Sequence, residues 1–322
     1  MRMMLLTGAL GVALAGPTAL PATAADPAEI NLDMVATQDS IWYEVLSEMA
    51  EAVQERTGTV VNIRHSGTTG SWREQVEALR IGTTDMVLQS IGVLDRYCEL
   101  PGIEAYPFLL RDVDHFRAVY YGDVGEELYA QIEEDCGFTL VGAAYRGARQ
   151  ISSNVPVRSL DDVRGLKIRV PPLRMYQETW NKLDANGTGM VMKEVFTALQ
   201  QGVIDAQENP IETIHRWKLH EVQDTITMTR HVVGIYSLIT NTRRFDSFSP
   251  ELQAALREEG AKAMQAGTEA VLAKEDALKA ELQEIGIEFI EVDTAPFREA
   301  VAPIKDEFPV IAPWVDRIQA VQ

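Results

Sequence analysis

Ser249-Pro250-Glu251 opens the stretch that most constrains this chain. Serine can cap a helix, proline suits its first position, and an acid in the first turn complements the positive end of the helix dipole. The pattern then reads as one helix to about Ile285, with a stop at Gly286. At ~1.5 Å per residue it spans roughly 50 Å, longer than a small domain is wide. A length of 322 residues suggests two domains or one large one. The beginning of the chain supplies a second constraint. Residues 29–37 alternate as a strand. The next segment carries Trp42, Val45, Leu46, Met49 and Val53 at helical spacing and stops near Gly58, and residues 60–64 read as a strand again. That β-α-β order begins a parallel sheet, so the fold class is α/β.

Apolar residues form 46% of the chain, enough for a core. The net charge of −19 argues against nucleic acid or an anionic membrane surface as partner. Residues 1–24 read as a secretory signal peptide. Arg2 is basic, residues 3–15 are apolar, and Ala22-Thr23-Ala24 precedes a predicted cleavage at Ala25. The expected location is the periplasm. Cys98 and Cys136 could be bridged there or remain two buried thiols, and the sequence leaves both open.

Residues 145–210 concentrate the chemistry. They contain Arg146-Gly147-Ala148-Arg149-Gln150-Ile151-Ser152-Ser153-Asn154, then Gly165-Leu166-Lys167-Ile168-Arg169-Val170-Pro171, then Glu194-Val195-Phe196-Thr197-Ala198-Leu199-Gln200 followed by Gln207-Glu208-Asn209-Pro210. Residues 166–170 read as a short strand ended by Pro171 and Pro172. Arg169 therefore stands at a strand terminus, where crevices of open α/β sheets lie. Its planar, always-charged guanidinium suits a carboxylate; its structural alternative is an ion pair with one of the chain's 48 acids. In order and spacing the run resembles the solute-binding proteins of tripartite ATP-independent periplasmic (TRAP) transporters, the DctP family. A weaker likeness extends over nearly the whole chain.

The resemblance implies a two-lobed periplasmic binding protein (Venus-flytrap) fold with the long helix spanning both lobes. Residues 25–146 plus about 235–270 would form one lobe, and 147–234 plus about 271–322 the other. It also implies that Arg169 clamps a ligand carboxylate and that Asn209 and Arg149 add hydrogen bonds. Asn209 reads in addition as a helix cap ahead of Pro210. Weaker carry-over reaches Gln89, Ser40 and His231; each has a structural alternative, as strand-end amide, helix cap and loop histidine. Glu208 reads as a supporting partner rather than a catalytic acid. Arg146, three residues before Arg149, is expected to face the other way or solvent. Residues 184–189 read as a turn, Trp180 as core, and Trp217 as a packed helix residue that could point to the cleft. The segment after residue 286 is expected to return to the second lobe.

No cofactor or metal is expected. His215 and His220 are five residues apart, which is wrong for one helical face, and residues 67–71 lack the Gly-Lys-Ser/Thr ending of a phosphate loop. The expected function is a receptor that captures a small organic carboxylate, favouring a sugar acid such as a uronate or aldonate, and delivers it to TRAP membrane subunits without an ATPase. A C4-dicarboxylate or another organic acid is the alternative within the class, with Arg149 as holder of a second carboxylate. Outside the class stand a secreted two-lobed enzyme and a sensor that presents its ligand to a receptor kinase. No Gly-x-Ser-x-Gly, His-Glu-x-x-His or Gly-x-Gly-x-x-Gly supports the enzyme. The sequence leaves the oligomeric state undetermined, monomer or dimer.

Overall fold

A computed structural model describes residues 26–322. The signal peptide expected at 1–24 lies outside the described residues. The chain opens with β1 (Glu29–Met34), α1 (Ile41–Thr57), β2 (Val60–Arg64), α2 (Trp72–Ile81) and β3 (Met86–Gln89). The α1 helix starts where Ser40 accepts the Tyr43 N–H and ends at Gly58, whose φ of 78° is left-handed. Two 3-10 turns lead to α3 (Val113–Tyr120), α4 (Asp123–Cys136) and the long strand β4 (Phe138–Ala148). One residue later the chain enters a second sheet with β5 (Gln150–Ser153), β6 (Lys167–Val170), α5 (Arg174–Lys182) and β7 (Asn186–Gly189). Then follow α6 (Met192–Gln200), β8 (Ala206–Asn209), α7 (Ile211–Arg216) and β9 (Thr225–Met228). After β9 come β10 (Val233–Asn241), α8 (Thr242–Asp246), α9 (Pro250–Glu284), β11 (Glu288–Glu291), α10 (Ala295–Val301) and α11 (Ala312–Gln319).

The first sheet has the order β2-β1-β3-β10-β4 and the second β11-β9-β5-β8-β6-β7. Between the sheets the chain makes two extended crossings, at Arg149 and at 229–232, besides the passage along α9 from β10 to β11. The two crossings are hydrogen-bonded to each other, the Arg149 N–H donating to Val232 O at 2.8 Å. They form the two-stranded hinge of an α/β molecule with two lobes. The long helix α9 packs on α1 and β4 of the first lobe and on α7 of the second. Close contact with α1 is possible because residue 267 is glycine: a Cβ there would come within 2.5 Å of the Trp42 ring.

Three expectations change. Residues 186–189 are an edge strand rather than a turn, because parallel pairing with β6 outweighs the poor strand propensity of Asn-Gly-Thr-Gly. Asn209 ends β8 and caps nothing; Pro210 holds the cap position of α7. The segment after residue 286 divides. Its strand β11 pairs with β9 in the second sheet, whereas α11 returns to the first lobe. There His115 Nε2 meets Ile318 O at 3.0 Å and Arg111 donates to Val321 O at 2.7 Å.

Cys98 and Cys136 are joined by a disulfide with a Cα–Cα distance of 5.5 Å. The bridge closes a loop with a sequence separation of 38 within the first lobe. Loop closure of that size restricts the unfolded chain by about 4 kcal/mol. Replacing both cysteines with serine is expected to lower the melting temperature by several degrees without altering ligand affinity; an unchanged melting temperature would show that the bridge contributes nothing.

Candidate ligand-binding cleft

Open α/β sheets place a crevice at the carboxyl ends of their parallel strands, and both lobes do so. The loops after β1, β2 and β3 face those after β6, β7 and β8 across a cavity of about 200 Å³. The loop after β1 contributes Val35 and Ala36, and the loop after β2 contributes Ser66, Gly67, Gly70 and Ser71. From the other lobe come Pro171, Pro172 and Leu173 after β6, Val191 and Met192 after β7, and Asn209 with the α7 residues Glu212, Thr213 and Arg216. Trp42, Trp72, Trp217 and Tyr236 add an aromatic wall, with the Tyr236 ring 5.0 Å from Trp42 and edge-on to it.

Arg169 is 4% exposed and lines this cavity. Its Nε and Nη2 both donate to Met190 O, at 2.8 and 2.6 Å, which fixes the plane of the guanidinium. Among the described residues no carboxylate pairs with it. Burial pulls its pKa down to about 9; the charge of Glu208 opposes that shift, and Arg149 and Arg146 add repulsion. The Arg169 charge is thus desolvated and short of a counter-ion. Beside it, the Asn209 amide donates to Gln207 Oε1 at 2.6 Å, and Gln207 in turn donates to Ser152 Oγ at 2.6 Å. This buried chain holds Asn209 in place, and its second amide N–H, which meets Met192 Sδ at 3.8 Å, faces the cavity as a donor.

Arg149 also reaches the cavity, but its charge is already matched. Nε donates to one Glu208 carboxylate oxygen and Nη2 to the other at 2.7 Å, and Nη2 also meets Glu208 O at 2.6 Å. His231 approaches the same carboxylate at 3.0 Å through Nε2, while its Nδ1 lies 2.8 Å from Thr229 Oγ1. Burial pushes Glu208 up, yet the charge of Arg149 and the hydrogen bonds from His231 and Arg149 outweigh it and hold the carboxylate at about 2. Burial lowers His231, with Glu208 opposing. Arg149, Glu208 and His231 therefore form a charged cluster at the hinge.

The structure brings together Arg169, Asn209 and Arg149 of the residues singled out by sequence. It places Gln89, Ser40 and His231 off the cavity wall. Gln89 is fully buried in β3 with its amide on Gln75 Oε1 at 2.7 Å, and Ser40 caps α1 and donates to Thr37 O at 2.6 Å. Trp180 is core, and Trp217 lines the cavity. Arg146 is the main surprise, because it too lines the cavity. Residues three apart on a regular strand face opposite ways. Here the β4–β10 register shifts between Val233 and Ile235, and Gly147 takes a φ of 97°. The bulge re-aims Arg146. The sequence signal was the glycine between the two arginines.

Three polar contacts join the lobes around the cavity. Arg73 of α2 donates to Pro172 O, Arg216 of α7 to Thr37 Oγ1 at 3.0 Å, and the Arg174 N–H to Asp95 Oδ2 at 3.3 Å. Among the described lining residues Glu212 is the one acid, and it pairs with Arg216. The cavity is therefore cationic inside a body of net charge −19. Among the described residues no helix is long and apolar enough to cross a membrane, and no cluster of histidine, cysteine or acids is placed to hold a metal ion.

Comparison with known proteins agrees with this geometry. The family model for DctP, described as bacterial extracellular solute-binding protein, family 7, matches residues 32–309. A solute-binding protein of Verminephrobacter eiseniae is 33% identical over 89% of this chain and 87% of its own. The crystal structure of a TRAP periplasmic solute-binding protein from Xanthobacter autotrophicus with bound β-D-galacturonate superposes with a TM-score of 0.86. It is 28% identical, covering 91% of this chain and all of that one. A second, from Pseudomonas putida with bound D-glucuronate, has a TM-score of 0.87 at 27% identity, covering 91% of this chain and 97% of that one. Family and structural neighbours are binding proteins. With the family match covering most of its length, the chain belongs to the DctP family of bacterial extracellular solute-binding proteins, the solute-binding proteins of TRAP transporters.

Proposed function

We propose that this protein is a periplasmic receptor that captures a small sugar acid between its lobes and passes it, chemically unchanged, to TRAP membrane subunits. The observation that carries this reading is Arg169: a buried guanidinium, anchored on Met190 O, facing a cavity and lacking a carboxylate partner. A ligand carboxylate supplies the missing counter-ion through Nη1, and Asn209 and the free Nη1 of Arg149 hydrogen-bond beside it. The aromatic wall suits the C–H faces of a sugar, and about 200 Å³ suits a molecule smaller than a typical drug. The galacturonate and glucuronate in the two neighbouring structures fit the same class.

Closure follows from where the contacts lie. Arg169 and Asn209 belong to the second lobe, and Trp72, Arg146 and Tyr236 to the first. A ligand touching both sets binds the closed form better and shifts a pre-existing open–closed equilibrium by that difference. The Arg73, Arg216 and Arg174 contacts then add to the closed state, which presents a different surface to membrane subunits.

The test is a thermal-shift screen of the chain from Ala25 against uronates, aldonates, C4-dicarboxylates, 2-oxoacids, sialic acid and sulfonates. At a concentration a hundredfold above Kd, a bound acid adds ~2.7 kcal/mol and raises the melting temperature by several degrees. One stabilising sugar-acid class, recovered intact by mass spectrometry, is the expected result. Turnover of the acid would point to an enzyme. Silence from protein shown to be free of co-purified ligand would overturn the reading.

A further inference from the structure

The cavity contains a second buried guanidinium without a partner. Arg146 is 6% exposed. Its Cζ lies 4.6 Å from the Tyr236 ring centroid and 5.6 Å from that of Trp72. Its stem rests on Gly234, where a Cβ would come within 2.7 Å of Nε. The side chain is thus built in, with glycine below it and aromatic rings around it. Yet among the described residues none of its five N–H donors reaches a protein acceptor, and no carboxylate pairs with it. Glu104 is the buried acid whose charge reaches it, but its two oxygens are engaged by Ser90 Oγ and by the Ile235 N–H at 3.2 Å. Burial also pushes Glu104 towards its neutral form, against its hydrogen bond from Ser90 and the charges of Arg146 and Arg149.

Aromatic rings attract the cation but accept no strong hydrogen bonds, so Arg146 keeps its full donor set for whatever occupies the cavity. It rises from β4 of the first lobe, whereas Arg169 rises from β6 of the second. Arg149, the residue one would otherwise choose for a second acidic group, is neutralised by Glu208. A mono-acid on Arg169 leaves the buried Arg146 guanidinium without a hydrogen-bonded carboxylate, which is unfavourable. A molecule with an acid at each end compensates both.

We propose that the preferred ligand is a di-acid of sugar size, with one carboxylate on Arg169 and Asn209 and the other on Arg146. This rests on the receptor reading of the same cavity and names its substrate class. It also makes Arg146 the residue that sets specificity, because it decides whether the far end of the ligand is an acid, an alcohol or an aldehyde.

The experiment is calorimetric titration of ligand-free protein, prepared by unfolding and refolding, with six-carbon acids of matched length. Galactarate and glucarate carry two carboxylates; galacturonate, glucuronate and galactonate carry one. The expected result is that a di-acid binds at least thirtyfold more tightly than its mono-acid counterpart. In Arg146→Gln that ratio is expected to collapse to within about threefold, mostly through loss of di-acid affinity. Arg146→Lys, which keeps the charge, is expected to retain part of the preference and guards against a Gln variant that folds poorly. A mono-acid that equals or exceeds the di-acid in the unmodified protein overturns the di-acid proposal and leaves the receptor reading standing. Equal losses for both acid types in Arg146→Gln likewise overturn it, by assigning Arg146 to the framework. Failure of every acid to bind overturns the receptor reading itself.

Discussion

Arg169→Ala weakens binding of the acidic ligand by at least thirtyfold and leaves the melting temperature of the ligand-free protein nearly unchanged. The two halves of this expectation have one cause. In the free protein the guanidinium is buried at 4% exposure, and its protein contacts are two hydrogen bonds to Met190 O. Those bonds hold its orientation, but a carbonyl does not replace a counter-ion. Burial has already pulled the group down to about 9, so the unliganded protein carries an unfavourable desolvated charge. Deleting the side chain removes that cost together with the packing and the hydrogen bonds, and the net effect on folding is small. The bound state is different. There a carboxylate–guanidinium contact forms in a dry cavity, and its loss is expected to cost at least ~2 kcal/mol, equivalent to about thirtyfold in Kd.

Titration with the acid giving the largest thermal shift, beside a melting curve of the free variant, checks both halves. A variant that unfolds at much lower temperature would mean that Arg169 is a structural cation and that the ligand carboxylate is held elsewhere. A variant with unchanged affinity would point to Arg146 as the primary anchor.

Arg169 was legible because two local rules agree on its position. The aliphatic run at 166–170 makes a strand, and Pro171-Pro172 end it, so the residue before Val170 stands at a strand terminus. The long helix was legible for a similar reason: Ser249, Pro250 and Gly286 mark its ends without help from tertiary structure. What could not be read were features that one segment imposes on another. Arg146 depends on a bulge whose second strand lies some ninety residues away. The edge strand β7 exists because β6 offers a free edge to a segment with no strand propensity of its own. Gln89 stands at the end of β3, as expected for a cleft residue, but Gln75 of α2 turns its amide inward. Arg149 and His231 carry the residue types of a binding site, and Glu208 converts them into a hinge cluster. A sequence shows which side chains are able to meet a ligand; it does not show which have already met each other.

That cluster carries the second large effect. Glu208→Gln lowers the melting temperature at pH 7 by roughly 5 °C, as expected for loss of about 3 kcal/mol in a chain of this size. The carboxylate is fully buried and accepts from two guanidinium nitrogens and a histidine. Glutamine can accept on one side only and leaves the Arg149 charge buried without a counter-ion, the situation in which removal of one partner is most harmful. The pH dependence follows from the carboxylate being held at about 2, below its ordinary value of 4.5. Between those values the unfolded chain binds a proton that the folded chain does not, so acidification favours unfolding. The contribution of Glu208 is therefore complete above about pH 4.5 and fades as the pH falls towards 2. Melting curves of the two proteins should accordingly lie far apart at pH 7 and converge in acid. A double variant, Arg149→Met with Glu208→Leu, removes both charges at once and should recover much of the loss. Parallel curves at all pH values would show that Glu208 acts through shape rather than charge. Coincident curves would remove the cluster from the account of stability altogether. The two variants thus divide the arginines by function: loss of Arg169 is read in affinity, and loss of the Arg149 counter-ion in the stability of the hinge.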